Sequence, residues 1–322
     1  MMRPIKLVPD NTNIPFLSVR KITLVVSILL LLGSAAIVAT RGLNLGVDFV
    51  GGQMFRISFA KAVSIDDLRT RIATLNLGEP SIQEFGSPKE VSIRMQLPPG
   101  GEDAANAAAG KVRAAVRAGY PDAKFEAVET VSGKVSNELL KTGAIALSLA
   151  MLGIAMFIWF RFEWQFGAGA LVTLFHDVVL TFGFFSLTQL EFNLNVVAAM
   201  LTIIGYSLND TIVVYDRIRE NLRKYRKMDV EALLNLSVNE TLSRTIVTSS
   251  SLLLTLTILL IMGPEVIFGF TAAMLLGIVI GTFSSIYISA PMLIWCKVRA
   301  DSFVPKSPDD NAERIPEEGF IR

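Results

Sequence analysis

Cysteine and histidine occur once each in these 322 residues, as Cys296 and His176, and only 18% of the chain is charged. A single cysteine excludes an internal disulfide framework and a cysteine metal cluster. One histidine, with no H-E-x-x-H pair and no Ser-His-Asp arrangement, argues against an enzyme, and no metal site is expected. The G-x-x-x-x-G-K-S/T phosphate loop is missing as well, so no nucleotide-driven step is legible. A formal net charge of +1 gives no bulk electrostatic reason to expect nucleic acid.

Apolar residues are what the chain has in excess. They make up 52% of it, and the mean hydropathy is +0.50. They are gathered into runs of roughly 18–25 residues, the length needed to cross about 30 Å of hydrocarbon. Six such runs are read as spans, at about 22–40, 141–160, 166–188, 195–216, 245–262 and 269–295. The first follows Arg20 and Lys21 but is too long for an ordinary signal-peptide core, and more spans follow, so it reads as an uncleaved anchor.

Lys and Arg in the short connections set the orientation. Arg3, Lys6, Arg20 and Lys21 precede the first span, and Arg161 lies between the second and third. Arg217, Arg219, Arg223, Lys224, Arg226 and Lys227 follow the fourth, and Lys297, Arg299 and Lys306 follow the sixth. The opposite connections, about 189–194 and 263–268, hold Glu191 and Glu265 and no basic residue. This alternation puts both termini in the cytoplasm, with 1–21 as the N-terminal segment, a cytoplasmic loop over about 217–243, and a polar tail over 297–322 that reads as disordered.

The segment 41–138 is then a soluble domain outside the membrane. Met54–Phe59 alternates as a strand does, and a helical pattern covers about 64–75 with Ser64 as N-cap and Asp67 at N3. Further strands are expected over Ser81–Phe85 and Val91–Leu97, joined by a turn at Gly86-Ser87-Pro88. Pro98-Pro99-Gly100-Gly101 leads into an Ala-rich helix over about 103–118, and a last strand over Lys124–Val131. The order β-α-β-β-α-β is that of a ferredoxin-like domain. The fold class is therefore a polytopic α-helical membrane protein with one α+β domain in the periplasm.

Polar groups inside a span are costly, about 3 kcal/mol for an ionised carboxylate at mid-helix, and so ask for a reason. The fourth span carries Tyr206, Ser207, Asn209 and Asp210, with Ser207 and Asp210 on one helix face. The fifth opens with Arg244, followed by Thr248, Ser251 and Thr255, a polar stripe on an apolar helix. One reading makes Asp210 a titrating group, Arg244 its fixed counter-charge and the hydroxyls a proton relay. A second is a permanent Asp210–Arg244 ion pair locking two helices, and a third has Arg244 snorkelling to the cytoplasmic edge. In the third span His176 and Asp177, flanked by Thr173 and Thr181, read as either relay or packing pair. Gly269, Ala273, Gly277, Gly281, Ser285 and Ser289 recur every fourth residue, a ridge that lets another helix approach closely, in this chain or a partner.

These motifs resemble the SecF family, the smaller half of the bacterial SecD–SecF accessory complex of the Sec export machinery, itself within the proton-driven RND superfamily. The resemblance rests on Gly46-Val47-Asp48-Phe49-Val50-Gly51-Gly52, on Arg161-Phe162-Glu163-Trp164 and on the His176-Asp177 pair. It rests most on the run from Ser207-Leu208-Asn209-Asp210 through Tyr215-Asp216-Arg217 to Asn221, followed by Thr241-Leu242-Ser243-Arg244-Thr245. The resemblance implies an inner-membrane subunit that pairs with SecD, whose own six spans complete a pseudo-symmetric bundle and carry a further essential aspartate. It implies work on preprotein leaving the SecYEG channel after the ATP-driven steps of SecA, with YajC and YidC as further partners. Protons are the coupling ion, with no cofactor, and Asp210, Arg244 and Thr248 match family positions implicated in proton passage. The transmembrane gradient supplies about 2.3 kcal/mol per charge per 100 mV. Two rivals are a scaffold that moves no protons and one half of an RND-type exporter of small molecules. Asp210 separates motor from scaffold, since a scaffold should tolerate a neutral isostere there.

Overall fold

The computed structural model describes Pro9 and residues 12–298, apart from residues 79, 86 and 127. Arg3, Lys6 and the tail beyond residue 298 lie outside the described residues. Helix α1 (Arg20–Arg41) leads through a single helical turn, α2 (Val47–Val50), into a folded insert. The insert runs β1 (Gly52–Ser58), α3 (Ile65–Ala73), β2 (Ser81–Phe85), β3 (Ser87–Met95) and α4 (Gly101–Gly119). Its last strand comes in two pieces, β4 (Lys124–Phe125) and β5 (Glu129–Val131). Then come α5 (Gly133–Arg161), α6 (Trp164–Thr188), α7 (Leu194–Lys224), α8 (Val230–Met262) and α9 (Phe268–Ser284). A π-helical stretch (Ser285–Ser289) carries α9 on into α10 (Ala290–Trp295).

Among the described residues six helices are long and apolar enough to cross a membrane, the last formed by α9, the π stretch and α10 together. They divide into two classes. The apolar windows of α6, α7 and α9–α10 are each 56% buried, against 6%, 11% and 17% for α1, α5 and α8. Three inner helices thus form the core of the bundle, and three outer ones present most of their surface outward. The small-residue ridge on α9 faces α7: a methyl added at Gly277 would press into Ile203, and one at Gly281 would sit 3.1 Å from Ser207 Cβ. The neighbour that the ridge admits is therefore a helix of this chain.

The insert pairs its strands in the order β2-β3-β1-β4, with β5 also on β1, all antiparallel. With α3 and α4 on one face, this is the split βαβ topology of a ferredoxin-like domain. Side chains alternate across the sheet. Phe55, Ile57, Val91 and Ile93 pack under Leu68 and Ile72 of α3 and Val112 and Val116 of α4. Each such burial contributes about 1.5–3 kcal/mol. Ser64 caps α3 by accepting the Asp67 N–H, a contribution of about 1 kcal/mol.

Three boundaries differ from the sequence reading. Ser87 and Pro88 belong to β3 rather than to a turn; Pro88 costs no ladder bond that β3 needs at its start. The expected last strand comes in two pieces, although Glu126 beyond the first still donates its N–H to the Arg56 carbonyl at 3.0 Å. Residues 217–243, read as a loop, are helical except for 225–229. The polar ends of α7 and α8 continue as a helical hairpin, where Arg217 binds Glu240 at 2.7 Å and Asn221 donates to Ser237 at 2.9 Å. Sequence hydropathy ends a span where water begins, whereas the helix goes on because its partner does.

The outer domain is fastened to the bundle at one joint. Gly51 and Gly52 have φ of +76° and +120°, and a methyl on Gly52 would meet the Met95 carbonyl, so only glycine starts β1 this way. Asp48 of α2 accepts the Leu194 N–H at the head of α7 at 2.9 Å. Residues 44–46 pair with Phe192 in the α6–α7 connection (Phe192 N–H to Asn44 O, 2.8 Å). From the face of β1 opposite the helices, Arg56 binds Glu129 and lies 3.7 Å from Glu191 of the same connection. Burial pushes the Glu191 carboxyl above the usual range, although Arg56 pulls the other way.

Candidate functional site

Helix α7 places the groups that matter. Asn193 caps it by accepting the Val196 N–H, and its inner face then repeats as Ile203, Ser207, Asp210, Thr211 and Val214. Asp210 is only 6% exposed. Its Oδ1 accepts the Thr245 hydroxyl of α8 at 2.8 Å, and its Oδ2 has no hydrogen-bond partner among the described residues. The neighbouring Thr211 is 3.0 Å from Ser285, at the first position of the π stretch. Ser285 is also 2.7 Å from the Gly281 carbonyl, to which it can donate. Single π turns inside α-helices are frequent at functional sites, because the extra residue turns a side chain to an unusual bearing.

A second cluster lies on the same helices. Asp177 of α6 accepts from His176 Nδ1 at 3.0 Å, from Ser207 of α7 at 2.5 Å and from Ser284 of α9 at 2.9 Å. All four side chains are buried. The carboxylate thereby ties the three inner helices together, while His176 Nε2 is left without a partner among the described residues. Thr173 and Thr181 turn back on their own helix, donating to the Gly169 and Asp177 carbonyls at 2.8 Å each, and take no part. A third chain runs Tyr206–Ser249–Thr282, with links of 2.9 and 2.8 Å. Ser207 is one turn from Asp210, and Ser284 is next to Ser285, so the two carboxylates share a frame without touching.

Arg244 makes no side-chain hydrogen bond to this cluster among the described residues, although its charge acts on the Asp210 carboxylate. Among the described residues no ion pair joins it to Asp210, which rules the locked pair out of the described geometry. Arg244, Thr248, Ser251 and Thr255 all lie on the outward side of α8. The last three donate only to carbonyls of their own helix, at 2.9, 3.2 and 3.0 Å. Asn209 and Thr202 of α7 are uncovered as well. Sequence reasoning chose the outward stripe and passed over the inward one. Thr241, Thr245 and Ser249, spaced by four, are buried, and two of them bind α7. Their spacing was there to be read, but nothing in it says which of two adjacent polar stripes faces in.

The fold and the site define a class: a six-helix membrane protein with an outer ferredoxin-like domain and a buried, incompletely partnered carboxylate in its inner helices. The family model for "Protein export membrane protein SecD/SecF, C-terminal" matches residues 111–299, and that for the "SecD/SecF GG Motif" matches residues 36–63. The chain is 41% identical to the protein translocase subunit SecF of Rickettsia rickettsii over 292 residues, 90% of this chain and 94% of that one. It is 42% identical to SecF of Cereibacter sphaeroides over 301 residues, 91% and 93% of the two chains. A crystal structure of SecDF from Thermus, described as a translocon-associated membrane protein, superposes with a TM-score of 0.82 at 32% identity. That match covers 91% of this chain but 40% of the SecDF chain. A second SecDF structure, in a super-membrane-facing form, superposes with a TM-score of 0.63 at 30% identity. The chain belongs to the SecD/SecF family, as a SecF-type subunit of the protein translocase.

Proposed function

We propose that this subunit works with SecD as a proton-driven device that promotes preprotein translocation across a bacterial inner membrane. Its termini are in the cytoplasm and the ferredoxin-like domain is in the periplasm. The observation that carries the reading is Asp210: a carboxylate in the middle of an inner helix, held by one hydroxyl, with its second oxygen unpartnered. Hydrogen bonds to a carboxylate favour its ionised form, and Asp177 accepts three, whereas Asp210, with one oxygen free, has room to take up a proton. The outward polar face of α7 and α8 supports the second element. Asn209, Arg244, Thr248 and Ser251 would be costly against lipid, and a second six-helix half seated there buries them. Arg244 then acts across that interface, with Thr248 beside it, and SecD supplies the complementary acid. The subunit performs no covalent chemistry of its own. Preprotein arrives through SecYEG after the work of SecA, with YajC and YidC as accessory partners.

The pairing is tested with Cys296→Ser combined with Thr248→Cys, cross-linked in membranes containing a SecD bearing single cysteines on its spans. A specific SecD position that cross-links supports the seating. Cross-linking to lipid-soluble reagents only, with every SecD position silent, would contradict it. In vesicles, gradient-stimulated export should require both subunits and vanish with either one alone.

A further inference from the structure

The basic end of the bundle, opposite the ferredoxin-like domain, carries a groove that the export reading does not use. It is about 460 Å³ in volume and is lined by Arg161 of α5 and by Asp216, Arg219, Glu220, Arg223 and Lys224 of α7. The α7 residues fall on one helix face by their spacing of three and four. The acids are each paired with a basic neighbour. Asp216 binds Arg161 at 3.1 Å, Glu163 binds Arg219 at 2.9 Å, and Glu220 binds Arg217 at 2.7 Å. Neither Arg223 nor Lys224 is in a salt bridge among the described residues, and both are exposed, with the Lys224 ammonium 4.9 Å from the centre of the Tyr225 ring. Arg226 and Lys227 follow in the exposed turn. The groove is therefore a concave surface with uncompensated positive charge.

Its level is set by what flanks it. Trp159 and Phe160 end α5, and Trp164 begins α6; they are 69%, 83% and 58% exposed. Exposed indole rings at a helix end mark the headgroup layer, so the groove opens where lipid phosphates lie. An apolar stripe leads up α5 from it: Ile145, Leu149, Leu152, Met156 and Phe160, all exposed and spaced by three or four. A phosphate bound by Arg223 and Lys224 would have its acyl chains already aligned with that stripe.

We propose that this groove is a binding site for the phosphate headgroup of an anionic phospholipid, held by Arg223 and Lys224 with the acyl chains along α5. Guanidinium and ammonium groups both suit a phosphate, Arg as a fork and Lys as a point charge. An acidic protein segment would find the same charge but no use for the α5 stripe, and free phosphate would need neither stripe nor aromatic rim. The site is independent of the proton-driven reading, because neither the pairing with SecD nor the state of Asp210 enters it.

The test is native mass spectrometry of the full chain released from nanodiscs of phosphatidylglycerol and phosphatidylcholine, counting the lipids retained. Arg223→Gln with Lys224→Gln is compared with Lys61→Gln and Arg69→Gln on the outer domain, the same change in charge. Unchanged thermal unfolding of each variant guards against misfolding. Two surface cations are expected to set phosphatidylglycerol retention by about 30-fold, with the phosphatidylcholine count unmoved. Equal retention by the groove and control variants would overturn the proposal. Displacement of the lipid by millimolar inorganic phosphate would make it a free-phosphate site, and preferential capture of a polyglutamate peptide would assign it to a protein segment. Either of these outcomes overturns the lipid assignment.

Discussion

Asp177 offers the sharpest separation of packing from proton passage. Its carboxylate takes three hydrogen bonds from two helices besides its own turn, at 2.5, 2.9 and 3.0 Å, with no water-accessible side. Measured hydrogen bonds between membrane helices average about 0.6 kcal/mol and reach about 1.7, so the two that cross helices contribute about 1–3 kcal/mol, and an alanine also leaves their buried donors unpaired. The upper end is softened at Ser284, whose hydroxyl can turn to the Gly281 carbonyl at 3.1 Å. Asp177→Ala should therefore destabilise the bundle by about 2–4 kcal/mol. Asp177→Asn should cost only about 1 kcal/mol, because one oxygen remains and both serines can accept as well as donate. Unfolding of the purified chain in mixed micelles measures both. A cost below about 0.5 kcal/mol for the alanine would refute the dry, bonded cluster. If the asparagine variant is stable but gradient-driven export stops, Asp177 belongs to the proton path rather than to packing.

Other perturbations probe the joint and the ridge. Glu191 is held above its ordinary value of 4.5 by burial, so the folded chain keeps a proton that the unfolded chain has lost. Stability of the joint is then full below about that value and declines as pH rises through the raised one, and Glu191→Gln should flatten that decline. Wild type and variant with the same slope would contradict this. Gly277→Val should cost about 1–3 kcal/mol, because the new Cβ would sit 2.6 and 2.7 Å from Ile203 Cδ1 and Cγ2, whereas Gly110→Ala, with nothing within 4 Å, should not destabilise. Equal melting temperatures for the two would mean that α7 and α9 are not in contact. Gly52→Ala, at φ +120° against the Met95 carbonyl, should loosen the outer domain and raise its proteolysis without unfolding the spans.

The spans and the strand order were legible because length and period carry them: a 20-residue apolar run and an alternating strand have few other homes. The three outer helices are the more hydropathic, a difference the sequence reading did not use, but hydropathy does not say which face of a helix packs inward. The same limit hid the inward stripe of Thr245 and Ser249 behind the outward one of Arg244 and Thr248. It also hid the joint, where Asp48 and Arg56 meet residues 191–194 across nearly 150 positions of sequence, a distance over which spacing says nothing.

On the proposed reading, Asp210 exchanges a proton with the gradient. Preprotein export by vesicles carrying SecD and this chain, with and without a proton gradient, measures it most directly when Asp210→Asn is compared with Asp210→Glu. Asparagine keeps the shape and the Thr245 bond but removes the titrating group; glutamate keeps the group and shifts its position. The asparagine variant is expected to assemble with SecD and to lose the gradient-stimulated part of export, while the glutamate variant retains some of it. Full gradient-stimulated export by the asparagine variant would make Asp210 a structural group and refute the proton-carrier reading.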